Sequence, residues 1–185
     1  DFDQTQFRVG YEVEHDLSDS VTLRQKLRYS EVDSDLEYSG FYDDDGSLAR
    51  YWGHYVEDME SLTLDTMAET TFSTGALDHN LVAGFDYAHS EYNAYSTVGY
   101  VSAEVTDAID LPYSDGQETT QTGVYLQDQM VTGPWTVFLS GRYDWVDITS
   151  RDANRDKTKT SDEAFSGRMG ASYRINTQLS AFANL

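Results

Sequence analysis

The stretch that decides the fold runs from Trp135 to Trp145 and reads WTVFLSGRYDW. A period of two residues is typical of a β-strand with one apolar and one polar face, because successive side chains of a strand point to opposite sides. One face of this predicted strand carries Trp135, Val137, Leu139, Gly141, Tyr143 and Trp145, and the other carries Thr136, Ser140, Arg142 and Asp144.

The same alternation extends along the rest of the chain, and almost no run has apolar residues at helical spacing. The chain is therefore predicted to be all-β, with about eight strands. Short turns are predicted near residues 17–19, 74–76, 132–134 and 176–177, and long polar connections near 32–58, 93–120 and 149–163. Short turns at one end of the strands and long loops at the other are typical of an antiparallel outer-membrane barrel.

Composition excludes several classes of protein. The 185 residues carry a formal net charge of -21 with only 12 Lys and Arg, which argues against nucleic acid as a partner. There is no cysteine, so thiolate metal sites and disulfides are absent. Mean hydropathy is -0.58, and no run approaches the roughly 20 apolar residues of a spanning helix. The first residues lack the pattern of a signal peptide, so we expect a mature or truncated N-terminus.

Two tryptophans indicate that the apolar face contacts lipid rather than a protein core. Trp135 and Trp145 lie in phase, and ten residues of a strand tilted by 45° rise about 23 Å along the membrane normal. This is close to the apolar band of roughly 25 Å that aromatic girdles flank in such barrels. A simpler reading is that aromatic residues are favoured in any strand. The predicted girdle residues are Trp135, Tyr143, Trp145 and Tyr173.

The basic residues avoid the predicted apolar face. Seven of the twelve fall on the polar face of a strand, where a wet lumen tolerates them, whereas Arg or Lys facing the bilayer midplane costs about 2–4 kcal/mol. If the first two strands pair around Ser18, Glu12 lies opposite Arg24, so some of these charges are expected to form ion pairs within the wall. The alternative is that they contact a plug inside the lumen. The predicted lumen-facing residues are Arg24, Lys26, Arg28, Arg142 and Arg168.

Two segments of the predicted strands are distinctive, Thr122-Gly123-Val124-Tyr125-Leu126-Gln127-Asp128-Gln129 and Gly141-Arg142-Tyr143-Asp144-Trp145. They resemble TonB-dependent siderophore receptors, most closely their ferrichrome and hydroxamate branch, and weaker matches occur along nearly the whole chain. The resemblance implies a barrel of about 22 antiparallel strands around a plug. Residues 1–185 are then expected to be a middle portion of that barrel domain, in the outer membrane of a Gram-negative bacterium. TonB would act through the plug, outside this sequence.

The resemblance also implies a ligand, a ferric hydroxamate siderophore bound at the outer mouth. Its iron already has oxygen ligands, so the receptor needs aromatic faces and hydrogen-bond donors, and neither a cofactor nor a protein-ligated metal is expected. Packing of these aromatic residues on one another is the alternative reading. Lipid and lipopolysaccharide are the other expected partners. The residues that the resemblance places in the ligand-binding loops are Tyr38, Phe41, Tyr42, Tyr95 and Tyr100.

Other functions remain as alternatives. The run Asp43-Asp44-Asp45-Gly46 has the wrong residues around it for an EF-hand calcium loop. The four histidines lack metal-ligand spacing and are expected at the surface, His79 beside a turn. An outer-membrane hydrolase is disfavoured because the sequence has no Gly-x-Ser-x-Gly motif. A passive porin or a small eight-stranded barrel would share the strand pattern.

Overall fold

The computed structural model describes residues 1–44, 46–101 and 111–185. In this part of the chain, eight strands form one antiparallel sheet in which each strand pairs with its neighbours in sequence. The all-β prediction is confirmed. The strands are β1 (Phe2–Ser18), β2 (Val21–Asp44), β3 (Ser47–Thr74), β4 (Leu77–Val101), β5 (Tyr113–Thr132), β6 (Trp135–Arg151), β7 (Lys157–Arg174) and β8 (Ser180–Asn184).

A search of the described residues finds no candidate for a membrane-spanning helix.

The sheet is a single layer without a protein core. Among the described residues, the buried apolar side chains are Ala94 and Tyr113 alone. In contrast, Leu126 is 53% and Phe165 is 71% exposed. A soluble sandwich would pack such residues against a second sheet, and a large exposed apolar surface marks a protein or membrane contact. This face of the sheet therefore requires apolar surroundings.

We use two names for the sides of the sheet along the full length of every strand. The apolar face is the side that carries Leu139 and Trp145, and the polar face is the side that carries Arg142. Cross-strand pairing keeps the faces separate, since Leu27 pairs with Leu64, Leu64 with Tyr87, and this row continues through Thr122 to Trp145. The predicted alternation is confirmed.

The strands are much longer than the sequence predicts, so the prediction of long polar loops is wrong for most of the residues concerned that the structure describes. Residues 45 and 102–110 of those predicted loops lie outside the described part, and 152–156 are not strand. Residues 32–44 and 47–58 are strand, as are 93–101, 113–120, 149–151 and 157–163. The hydrogen-bonded ladder continues there, but the apolar face no longer carries mainly apolar side chains. In β2 it carries Asp33, Asp35 and Glu37, whereas the polar face carries Val32, Leu36 and Tyr38. Because the apolar alternation does not continue in phase, the sequence pattern does not reveal the extension as part of the same strand.

Glycine defines two of the tight turns. Gly75 and Gly133 have φ of 65° and 56°, values that favour a residue without a Cβ, and they lie in the predicted turns between β3 and β4 and between β5 and β6. We call this end of the sheet the turn end, and the opposite end, where β2 meets β3, the hairpin end.

The first turn lies one residue later than predicted. Residues Asp19 and Ser20 form it, with a register shift between Asp16 and Ser18. Moving the centre of a hairpin by one residue moves each cross-strand partner by two. Glu12 consequently pairs with Lys26 rather than with Arg24, and Glu14 pairs with Arg24.

Asp128 on β5 lies on the apolar face, between Leu81 and Leu139. Its carboxylate Oδ2 is 2.8 Å from Nδ1 of His79, and the His79 ring stacks on Phe72 with centroids 4.7 Å apart. The side chain of His79 is 11% exposed, so the expected surface position is wrong for this histidine. Partnering by His79 explains how an acidic residue is accommodated on the apolar face.

Candidate functional site

A belt of ion pairs crosses the polar face, close to the turn end in β1 and β2. Arg24 on β2 contacts Glu14 on β1 at 2.6 Å and also Glu69 on β3, and Lys26 lies 3.0 Å from Glu12. These pairs join neighbouring strands, which favours the reading in which part of the basic charge is neutralised inside the wall. The register brings all five predicted basic residues to the polar face, namely Arg24, Lys26, Arg28, Arg142 and Arg168.

Arg142 is the most connected of these residues. Its guanidinium contacts Asp86 on β4 and Asp144 on its own strand, each at 2.5 Å, and lies 5.8 Å from the ring centroid of Tyr125. Gly123 makes this arrangement possible, because a Cβ there would lie 2.1 Å from Nη2 of Arg142. Arg28 and Arg168, by contrast, form no ion pair with any residue that the structure describes.

Two aromatic pairs lie on the apolar face of β6 and β7. Trp135 and Tyr173 have ring centroids 4.7 Å apart at the turn end, and Tyr143 and Trp145 have the same separation further along β6. All four predicted girdle residues thus share one face and form two groups at different heights. Their position in a membrane stays a prediction.

Tyrosines form a cluster on the polar face at the hairpin end. The ring of Tyr38 stacks on Tyr55 with centroids 5.8 Å apart and an interplanar angle of 20°, and it meets Tyr51 edge-on at 5.9 Å. Tyr42 lies 6.4 Å from Tyr51. We call these four residues the tyrosine panel: Tyr38, Tyr42, Tyr51 and Tyr55.

Two glycines let the panel lie flat on the sheet. A Cβ at Gly53 would lie 2.5 Å from ring atoms of Tyr38, and one at Gly40 would lie 2.6 Å from the hydroxyl of Tyr51. Each ring therefore covers the backbone of the adjacent strand. Rigid, flat aromatic faces are suited to contacting a bulky ligand at low entropic cost.

A carboxylate borders the panel. Glu57 lies two residues after Tyr55 on the same face, and it accepts hydrogen bonds from the hydroxyls of Tyr92 (2.9 Å) and Ser34 (3.3 Å). Burial, reinforced by the hydrogen bond to Glu57, raises the pKa of Tyr92 to about 12. The Tyr92 phenol consequently stays protonated, and able to donate, at physiological pH.

The structure divides the aromatic residues for which the resemblance implied ligand binding. Tyr38 and Tyr42 belong to the panel, whereas Phe41 and Tyr95 lie on the apolar face, where Phe41 is 71% exposed and Tyr95 packs edge-on against Tyr113 at 5.6 Å. The side chain of Tyr100 lies outside those that the structure describes. The division arises because these residues are in strands, where neighbours alternate between faces.

Sequence reasoning missed Tyr51, Tyr55 and Tyr92. A signal for them exists once the β2–β3 hairpin is recognised, since Tyr38 pairs with Gly53, and Tyr51 and Tyr55 then fall on the same face, on either side of that glycine. Treating the segment as a loop concealed this register.

Within the described part of the chain, no group of three or more His, Cys, Asp or Glu side chains is placed to hold a metal ion. The polar face at the hairpin end can therefore be described as an aromatic and hydrogen-bonding surface with one bordering carboxylate.

Comparison with known proteins gives matches along the whole chain. Residues 1–185 match the family model described as TonB dependent receptor-like, beta-barrel. The ferrioxamine B receptor of Salmonella typhimurium is 31% identical over 176 residues, covering 88% of this chain and 25% of that protein. The ferrichrome outer membrane transporter/phage receptor of Escherichia coli K12 is 27% identical, covering 94% and 28%.

The fold also matches solved structures. The unliganded ferric citrate transporter FecA superposes with a TM-score of 0.83 over 99% of this chain and 27% of that one, at 14% identity. The chain spans about a quarter of the length of the curated relatives it matches.

Proposed function

Because this chain belongs to the TonB-dependent receptor β-barrel family, we propose that it supplies barrel wall and part of the outer ligand mouth of a receptor that imports ferric hydroxamate siderophores. The observation that carries the proposal is the tyrosine panel, a flat aromatic surface on the polar side of the wall at the hairpin end. The names of the two relatives, a ferrioxamine B receptor and a ferrichrome transporter, support hydroxamates as the ligand class.

The wall is oriented with its apolar face toward lipid and its polar face toward the lumen of an outer-membrane barrel. The positions of the basic residues support this orientation, since the ion-paired belt of Arg24, Lys26 and Arg142 lies entirely on the polar face. Such residues would cost about 2–4 kcal/mol each at the lipid midplane. The two aromatic pairs then mark the borders of the apolar band, and the hairpin end faces outward.

The ligand mouth comprises Tyr38 and Tyr42, retained from the sequence, together with Tyr51, Tyr55 and Tyr92. The iron arrives as cargo already held by hydroxamate oxygens, so the wall contributes ring faces rather than metal ligands, and the Tyr92 and Ser34 hydroxyls hold Glu57 beside them. Phe41 and Tyr95 are assigned to the outside of the wall, where Tyr95 packs on Tyr113.

Further contacts are proposed with TonB, with the plug of the receptor and with lipopolysaccharide. TonB supplies energy through a plug formed by residues outside this chain. Arg28 and Arg168, on the polar face, are available to contact that plug. Lipopolysaccharide is proposed to contact Lys157 and Lys159, which lie on the apolar-face side of β7 beyond the level of Trp145. Phosphate groups of a glycolipid would be attracted to such paired ammonium groups. We propose no enzymatic activity for this chain.

Uptake of radiolabelled iron tests the function. Cells that depend on the intact receptor should accumulate iron from a ferric trihydroxamate only when TonB is present and the inner membrane is energised. Equal uptake without TonB would instead identify a passive porin, and the absence of any uptake would contradict the siderophore assignment.

A further inference from the structure

The charged side chains that the structure describes around the tyrosine panel, on the polar face, are all acidic. Carboxylates lie nearby on the polar face, where Glu57 pairs across β4 through Ala94 with Asp115 on β5. Among the side chains that the structure describes between Val32 and the hairpin end of this face, none is Lys, Arg or His. The sequence of residues 102–110, outside the described part, also has no basic residue.

The basic residues at this height are all on the opposite face. Arg50 donates to Ser39, His54 lies 2.8 Å from Asp35, and Arg151 contacts Glu91 and Glu118, each at 3.0 Å. Each of these three side chains therefore has a partner, and the sheet separates them from the panel. Lys157 and Lys159 lie on the same opposite face, and Arg155 lies 4.3 Å from the ring centroid of Tyr113, which pairs with Tyr95 of that face. They do not compensate the carboxylates of the mouth.

Glu57 is held in place by neutral groups. Its two hydrogen bonds come from the hydroxyls of Tyr92 and Ser34, and it forms no ion pair with any residue in the described ranges. Hydroxyl donors orient a carboxylate without cancelling its charge. The adjacent tyrosine rings present the negative face of their π-systems, which attracts cations.

From this arrangement we propose that the mouth selects ferric hydroxamate chelates that carry a net positive charge, with Glu57 as the residue that determines this specificity. A linear trihydroxamate with a terminal primary ammonium has the required chemistry. The inference rests on the proposed function, which names hydroxamates but not their charge. Anionic chelates, such as catecholates and hydroxycarboxylates, would meet repulsion here because no described cation of the mouth offsets their charge.

The test measures dissociation constants of the intact receptor in detergent for three forms of one linear ferric trihydroxamate. The terminal amine is free in the cationic form, acetylated in the neutral form and succinylated in the anionic form. We expect the cationic form to bind about tenfold more tightly than the neutral form, and the anionic form to bind most weakly. The preference should shrink as salt is added.

Two matched variants localise the effect. Glu57→Gln should abolish the preference, so that the cationic and neutral forms bind with equal affinity, and saturable binding of the neutral form shows that the variant is folded. Glu60→Gln, three residues away on the apolar face, should retain the preference.

The outcomes separate this inference from the proposed function. Equal binding of the cationic and neutral forms by the unmodified receptor overturns charge selection, and so does a preference that survives Glu57→Gln. A preference that is insensitive to salt in the unmodified receptor also contradicts it, whether or not the variants fold. If none of the three chelates binds, the hydroxamate function itself is wrong.

Discussion

Arg142 on β6 reaches across β5 to Asp86 on β4, and its two terminal nitrogens contact the two carboxylate oxygens at 2.5 and 2.9 Å. The intervening position is Gly123, and the guanidinium fills the space that a Cβ would take. One side chain thus ties three strands together on the polar face. Bidentate contacts between arginine and a carboxylate are among the stronger polar interactions in proteins.

Replacing Arg142 by Met should destabilise the folded receptor by roughly 1–3 kcal/mol, because Asp86 and Asp144, each 22% exposed, lose their charge partner. Denaturant unfolding in lipid vesicles measures this change. Arg28→Met is the matched control, since Arg28 shares the face but forms no ion pair within the described residues. Equal destabilisation by both variants would show that the Arg142 contacts add nothing.

Substitution by arginine should destabilise the receptor to very different extents at two adjacent residues of β4. Ala83 lies on the apolar face, in the row of Leu126 and Gly141, and Val82 lies on the polar face opposite Glu69. Ala83→Arg should reduce the free energy of unfolding by about 2–4 kcal/mol in bilayers, whereas Val82→Arg should change it by much less. A larger loss for Val82→Arg would reverse the assignment of lipid and lumen faces.

A methyl group at Gly53 should disturb the panel. Because a Cβ there would lie 2.5 Å from the Tyr38 ring, Gly53→Ala must displace that ring, and hydroxamate affinity should fall roughly tenfold, or about 1.4 kcal/mol. Gly170→Ala, where the nearest atom would be 3.5 Å away, should bind normally. Titration calorimetry on the intact receptor compares the two, and unchanged affinity for Gly53→Ala would show that the position of Tyr38 does not matter.

The Tyr92 phenol should titrate unusually late. Burial and Glu57 raise its pKa to about 12, so the neutral, donating form should persist while ordinary tyrosines ionise. Glu57→Gln removes the negative charge and should lower this pKa, although burial remains. NMR of tyrosines labelled at the ζ carbon, with Tyr92→Phe to assign the signal, measures both values. An identical midpoint in the Glu57→Gln variant would contradict this coupling.

Sequence alone predicted the strands where the two faces differ in polarity. Between Val137 and Trp145, one face carries aliphatic and aromatic side chains and the other carries Arg142, so the period of two is visible. The register places the predicted basic residues on one face of the sheet, and their orientation toward a lumen stays a prediction. The resemblance to the family was also confirmed.

Beyond the apolar band the same reasoning failed for a physical reason. Residues 32–44 are strand, yet the face that is mainly apolar over residues 21–29 carries Asp33, Asp35 and Glu37 here, so the apolar alternation did not identify the segment as a continuation of β2. Whether Phe41 or Tyr42 joins the panel depends on the register of the hairpin, which propensity does not determine. The contact of Asp128 with His79 likewise required knowing which residues the sheet brings together.

The most direct test of the account compares aromatic residues of the two faces in the intact receptor. Equilibrium binding of a ferric trihydroxamate should be weakened at least tenfold by Tyr38→Ala, Tyr51→Ala and Tyr55→Ala combined, because these substitutions remove the tyrosine panel. Phe41→Ala combined with Tyr95→Ala should leave affinity unchanged, since both residues lie outside the wall. Loss of binding with the second set and normal binding with the first would contradict the proposed ligand mouth.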